Sequence, residues 1–299
     1  MKDEGGRMKE KPGFLFPISS FILPTSSLMT CIALSLCAAG AQGSVTLNGV
    51  VGSADFLAVG QFGTTSSSTI NGSATAVFDG WYVLTARHLV TSDLTITGSV
   101  RPAAELRFRL NGTDYGCSSV LADFGADIAL VKLNQTCGVS VSLYSAAAGS
   151  EAGQIFWAAG FGQTDTTGDG TWDAGTGGIR RSFRNTVDSI TNGTLSGQGT
   201  VLRYDFDKTT GSPVGQDEGI HGPGDSGGGV FLWDDGEYRL AGVLSSGGSP
   251  VDQATASVTS LSPHAGAITA AVPEPTCLAV PMVAGMLSLR RRAKARVLK

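Results

Sequence analysis

Ser226 stands in Gly224-Asp225-Ser226-Gly227-Gly228, His88 closes Leu84-Thr85-Ala86-Arg87-His88, and Asp127 opens Asp127-Ile128-Ala129-Leu130. A serine hydroxyl is a poor nucleophile at neutral pH unless a base takes its proton during attack. The imidazole that takes it must in turn be held in one tautomer by a carboxylate. The chain supplies all three groups, in the order histidine, aspartate, serine. A Gly-Asp-Ser-Gly stretch alone is a turn in most proteins, so the expectation of nucleophilic chemistry rests on the three segments together. His221 is the rival base, but five residues before Ser226 on one loop it reads better as a wall of a side-chain pocket. Asp123 rivals Asp127 and lacks the Ile-Ala-Leu that follows it.

Groups so far apart in sequence need a rigid frame. Charged residues are 15% of the chain, Gly is 42 of 299, and short apolar or alternating runs are separated by turn residues. That pattern predicts an all-β fold, in barrels or a sandwich. The strands are expected at Phe56–Val59, Thr75–Phe78, Tyr82–Thr85, Leu106–Leu110, Ile128–Lys132, Ile155–Gly160, Leu202–Phe206, Gly229–Trp233 and Leu240–Leu244. A helix fits only near Pro263–Ala271, where proline suits the first turn. Two loops are long: 162–178 and 208–223. Asp165, Asp169 and Asp173 recur in the first, but without an EF-hand core they read as a solvated turn, and no metal is expected. No cofactor is expected either.

Charge excludes one class of partner. Of 21 basic residues, four lie in the first 11 positions and six after Leu289, leaving 11 between; of 25 acidic residues, 21 lie within residues 42–271. The middle is therefore near −10 (11 minus 21). An acidic domain without a basic stripe is a poor nucleic-acid binder.

The ends read as addresses. Lys9 and Lys11 precede an apolar stretch, continuous from Leu28 to Ala39, and Ala39-Gly40-Ala41 has the small-x-small form of a signal-peptidase site. Residues 1–41 are thus expected to be a signal peptide and 42–271 the mature domain. Cys31 and Cys37 would leave with the signal, and Cys277 sits in the tail. Cys117 and Cys137, the two that remain, are expected to pair in an oxidising compartment. At the other end, Val272-Pro273-Glu274-Pro275 precedes a short apolar run from Cys277 to Leu289 and then Arg290-Arg291-Arg292-Ala293-Lys294. The run is short for a membrane span, yet the basic cluster gives it a stop-transfer character. This order resembles the PEP-CTERM sorting tail of Gram-negative bacteria. The resemblance implies export to the cell surface or beyond, transient membrane anchoring through residues 272–299, and removal of the tail by a sorting protease.

Gly80-Trp81-Tyr82-Val83-Leu84-Thr85-Ala86-Arg87-His88, Asp127-Ile128-Ala129-Leu130-Val131-Lys132-Leu133, Gly224-Asp225-Ser226-Gly227-Gly228 and Gly242-Val243-Leu244-Ser245-Ser246-Gly247 resemble the corresponding segments of trypsin-like serine proteases. The resemblance covers the whole middle of the chain. It implies two packed six-stranded antiparallel β-barrels of the chymotrypsin-like kind, with His88 and Asp127 from the first and Ser226 from the second. It implies peptide-bond hydrolysis through an acyl-enzyme, with the Gly224 and Ser226 amides as oxyanion hole. Ile220 and His221 would form the side-chain pocket, and Ser245, Ser246 and Gly247 would line the substrate backbone. The polypeptide substrate, signal peptidase and the sorting protease are the expected partners. A catalytically inactive binding module on the same scaffold is the alternative.

The chain departs from the pattern at Arg87, Leu89 and Gly229, none of them a reacting group. In animal-type relatives a cut after a basic residue frees an N-terminus that pairs with the aspartate beside the serine. Val50-Val51-Gly52-Ser53 lies at about the right distance, but Gly49 precedes it. Either another protease cuts there, or Asp225 is satisfied by a different group. An apolar Ile220 at the pocket floor argues for an uncharged side chain at the cleavage site, unless Asp217 or Glu218 reaches the pocket.

Overall fold

The computed structural model describes residues 45–46, 56–67, 72–209 and 211–273. The expected signal peptide, the Val50–Ser53 segment and the tail beyond Pro273 lie outside the described residues.

The first half is a closed antiparallel barrel of β2 (Val59–Thr64), β3 (Gly72–Val77), β4 (Tyr82–Thr85), β5 (Leu106–Leu110), β6 (Thr113–Leu121) and β7 (Ala129–Leu133), ordered β2-β3-β4-β7-β6-β5. Its sequence closes it because alternate residues point inward: in β5, Leu106, Phe108 and Leu110 are buried while Arg107 and Arg109 are partly exposed. These pack with Phe62, Val83, Val131 and Leu133 into one apolar core. Closure leaves no unpaired edge. Cys117 and Cys137 are free thiols, a correction to the expected disulfide. Cys117 points into this core, where burial pushes its thiol up to about 12. The Cys137 thiol instead donates to the Val139 carbonyl at 3.4 Å.

The second half is one sheet of β8 (Ile155–Gly160), β9 (Arg181–Thr186), β10 (Ser189–Asn192), β11 (Thr200–Phe206), β13 (Gly229–Asp234), β14 (Glu237–Ser246) and β15 (Ala254–Ser260), ordered β10-β11-β15-β14-β13-β8-β9. A two-stranded piece, β1 (Val45–Thr46) with β12 (Gly219–Ile220), lies apart from it in the ladder. The fold is chymotrypsin-like, with a difference from two equal barrels: this sheet has seven strands and curls without a closing ladder. The curl is held partly by a side chain. Asn185 of β9 donates its Nδ2 to the Asp205 carbonyl of β11 at 2.6 Å and to the Gly219 carbonyl of β12 at 3.0 Å. Phe156, Phe183, Tyr204, Phe206 and Leu232 fill the interior.

A third apolar cluster joins the halves, with Leu84 and Ile128 from the barrel meeting Phe231, Leu240 and Val243 from the sheet. Phe56 stacks on Phe231 with ring centroids 4.4 Å apart. After a 3-10 turn at Ser262–His264 that contains Pro263, helix α1 (Ala265–Ala270) seals the cluster with buried Ile268. The expected C-terminal helix is therefore present.

Candidate active site

Register brings the first two groups together. In the antiparallel β4–β7 pair, Thr85 faces Ala129. His88 lies three residues past the end of β4 and Asp127 two residues before the start of β7, so both overhang the same rim of the barrel. A 3-10 turn at Arg87–Val90 folds His88 back. Its Nδ1 meets Asp127 Oδ2 at 2.9 Å, and its backbone amide donates to Oδ1 at 2.9 Å. Arg87 turns away and donates its Nε to the Ala122 carbonyl at 3.0 Å, which explains why it is tolerated before the histidine.

Asp127 is fully buried. Burial alone would raise its carboxyl, but hydrogen bonds and charge from His88, with a further bond from Ser245, hold it below the usual carboxylate range. Ser245 Oγ donates to Asp127 Oδ2 at 2.7 Å. Its aim comes from a bulge: Leu244 pairs with Val258 and Ser246 with Ser257, leaving Ser245 as the extra residue. Gln198 Nε2 donates to the hydroxyls of Ser245 and Ser257, and the Gln198 carbonyl accepts the Asp127 amide. Ser245 is expected along the substrate backbone; its side chain serves Asp127, a bond that leaves its backbone groups uninvolved.

The serine loop is pressed against the strand that leads to His88. Ser73 of β3 is the hub: its amide donates to the Ser226 carbonyl at 2.8 Å, and its hydroxyl donates to the Gly224 carbonyl at 2.9 Å. The Thr85 hydroxyl donates to the Ser73 carbonyl at 2.7 Å. Gly227, at φ +82°, has no room for a side chain, since a Cβ there would strike the Ser73 carbonyl, the Thr85 hydroxyl and a Leu89 methyl. On its other side the loop is tied to β14, where the Gly227 amide donates to the Leu244 carbonyl at 2.8 Å. Ser226 itself is half-buried. Among the described residues, neither the Gly224 nor the Ser226 amide donates to a backbone carbonyl.

A cavity of about 400 Å³ opens beside the pair, lined by His88, Asp127, Ser245 and Ser246 with Leu94, Ile96 and Leu195. A larger one, about 500 Å³, lies by Trp81, Lys132 and Pro273 and is lined by neither His88 nor Asp127. Ser246 and Gly247 continue β14 at the accessible rim of the site.

The Asp225 carboxylate accepts the Gly162 amide at 2.7 Å and the Gly222 amide at 3.0 Å. Buried Arg181 lies within its field and donates to the Gly162 carbonyl at 2.9 Å. The two residues expected to form the side-chain pocket are both buried. Ile220 is fully buried against Gly248, and His221 is buried with its Nδ1 on the Tyr204 hydroxyl at 2.5 Å. His221 thus lies inside the fold, bonded to tyrosine and not to a carboxylate, whereas Asp123 is exposed. Asp217 is ion-paired to Arg184 at 2.6 Å, and Glu218 accepts the amides of Asp207 and Val214, so both carboxylates are already engaged. In the 162–178 loop, Asp165 accepts the amides of Gly168, Asp169 and Gly170. Asp173 accepts from the Thr166 amide and hydroxyl.

Ser73, Arg181, Gln198 and Tyr204 escape a sequence reading because their roles depend on partners far along the chain. Only Arg181, a charge inside a short apolar-polar alternation, carries a local signal.

The trypsin family model matches residues 50–263, most of the chain. The chain belongs to the trypsin family of serine proteases. A search of curated proteins finds no match.

Proposed function

We propose that this chain is an exported serine endopeptidase. The observation that carries the proposal is the His88–Asp127 pair at 2.9 Å on a barrel rim, with the Ser226 loop packed against the same segment. In this reading Ser226 attacks the scissile carbonyl while His88 Nε2 takes its proton. Asp127 holds Nδ1–H and stabilises the imidazolium, which then protonates the leaving amine. Water repeats the sequence on the acyl-enzyme. The Gly224 and Ser226 amides donate to the developing oxyanion, each worth a few kcal/mol. The substrate backbone extends β14 along Ser246 and Gly247.

Arg181 supplies the countercharge for Asp225 from within the sheet. Activation then needs no new N-terminus at Val50, and the secreted protein starts at Gln42, ahead of β1. The tail after residue 271 holds the chain at the membrane until a sorting protease removes it. N-terminal sequencing and intact mass of the secreted form check both cuts; a start at Val50 would contradict the first.

The functional test is hydrolysis of casein by the processed protein. Ser226→Ala and His88→Ala are each expected to lower turnover by at least about 10⁴-fold. Residual turnover in Ser226→Ala at the parent rate would sink the assignment. Peptide binding without any turnover would instead mark a binding module on a protease scaffold.

A further inference from the structure

His221 has one ring nitrogen in use and one idle. Tyr204 of β11 sits beneath it, and its hydroxyl lies 3.4 Å from the His221 amide, which donates to it, and 2.5 Å from Nδ1. The phenolic proton needs an acceptor, because a buried hydroxyl without one is costly, and Nδ1 is the acceptor within reach. Tyr204 therefore donates to Nδ1, and the neutral ring carries its own proton on Nε2. That Nε2–H is buried and has no hydrogen-bond partner. Burial also lowers the ring's pKa to about 3, keeping it neutral at working pH, and raises that of Tyr204, keeping the phenol protonated.

The ring edge that carries the idle donor lies beside Gly247, just past β14. A Cβ on Gly247 would come 3.2 Å from His221 Cδ2, the ring atom bonded to Nε2. Ile220 lines the floor against Gly248. Trp172 covers this region: its ring would lie 2.8 Å from a Cβ on Gly222, and its Nε1 donates to the Gly248 carbonyl at 3.0 Å. It is delivered there by the loop that Asp165 and Asp173 brace. An entering side chain must displace this cover to reach Nε2.

We propose that His221, oriented by Tyr204, is the specificity-determining group of the peptidase, donating from Nε2 to the carboxamide oxygen of a glutamine or asparagine before the scissile bond. A neutral donor over an apolar floor offers a carboxylate no countercharge, and the Asp225 charge acts on the same Tyr204. It offers Lys or Arg no acceptor, since Asp217 and Glu218 are engaged elsewhere. An aliphatic side chain fits but leaves Nε2–H unpaired.

This rests on the peptidase reading, and the test separates the two. The processed full chain is assayed on peptide anilides differing only in the residue before the anilide: Gln, Asn, Glu, Leu and Lys. Gln or Asn is expected to exceed Leu, Glu and Lys in kcat/KM by about tenfold or more. Tyr204→Phe, and independently His221→Leu, are expected to bring the ratio of the preferred amide to Leu down toward one. Equal or better cleavage of Leu, Glu or Lys would overturn the assignment while leaving the peptidase intact, as would an unchanged ratio in an active Tyr204→Phe variant. If no anilide is cleaved and a fluorophosphonate does not label Ser226, the peptidase reading fails and takes this one with it.

Discussion

The two halves of the molecule are built on different principles. Among the described residues, the closed barrel buries only Ser73, Thr75, Thr85, Thr91 and Asp127 of the polar ones, and its interior is aliphatic and aromatic. The curled sheet and its loops bury Arg181, Asn185, Gln198, Glu218, His221 and Asp225, together with several hydroxyls. Backbone ladders close the first half. Asn185, Arg181 and Gln198 tie the second together by side-chain bonds to carbonyls and hydroxyls that no strand register would satisfy. In the proposed reading the barrel is thus a rigid mount for a base and its carboxylate. The sheet shapes the Ser226 loop, and the bonds of its buried polar groups fix the geometry there.

This contrast can be broken by substitution. Phe62→Ala in the barrel core is expected to cost about 3–5 kcal/mol of stability, with kcat/KM of the folded fraction unchanged. Arg181→Met should cost a comparable amount, since it strands Asp225 and the carbonyls of Gly162 and Thr176, but it should also abolish most activity. Denaturant melts paired with active-site titration separate the two, and equal loss of activity per folded molecule would erase the distinction.

Ser245→Ala has a smaller expected effect. It removes a hydrogen bond to a charged carboxylate, worth roughly 1.5–3 kcal/mol, and should lower kcat about tenfold or more while KM stays put. A rise in KM with kcat unchanged would return Ser245 to the substrate side.

The smallest effect concerns Asp188. Burial, then the charges of Asp205 and Asp207, pushes its carboxyl up to about 6. Its folded value lies above the unfolded one, so ionising it in the folded state costs stability as pH rises through about 6. Asp188→Asn should therefore raise Tm at pH 8, with the gain vanishing below about pH 4. The amide oxygen can still accept the Asp205 amide. A loss of Tm at pH 8 would contradict the assigned strain.

The same division governs what the sequence made legible. Tyr82–Thr85, Leu106–Leu110 and Ile155–Gly160 were readable to the residue, because apolar content or alternation marks them. The strand expected at Phe56–Val59 begins only at Val59, since Phe56 is spent on the interface with Phe231. β6 was not readable: of Thr113–Leu121 only Cys117 is buried, so its pattern is nearly all polar. β9 hid for the opposite reason, its Arg181 and Asn185 being buried polar residues with distant partners. His88, Asp127 and Ser226 stood in recognisable local segments. Gln198 and Tyr204 did not, and Arg181 showed only as a charge inside a short alternation, because nothing nearby in sequence records a contact made across the sheet.

The most direct measurement is covalent labelling of the processed, folded protein with diisopropyl fluorophosphonate, read by intact mass and peptide mapping. One adduct on Ser226, absent in Ser226→Ala and in His88→Ala, is the expected result. A folded protein that takes no adduct, or takes one that persists in Ser226→Ala, would contradict the assignment of His88, Asp127 and Ser226 as one catalytic unit.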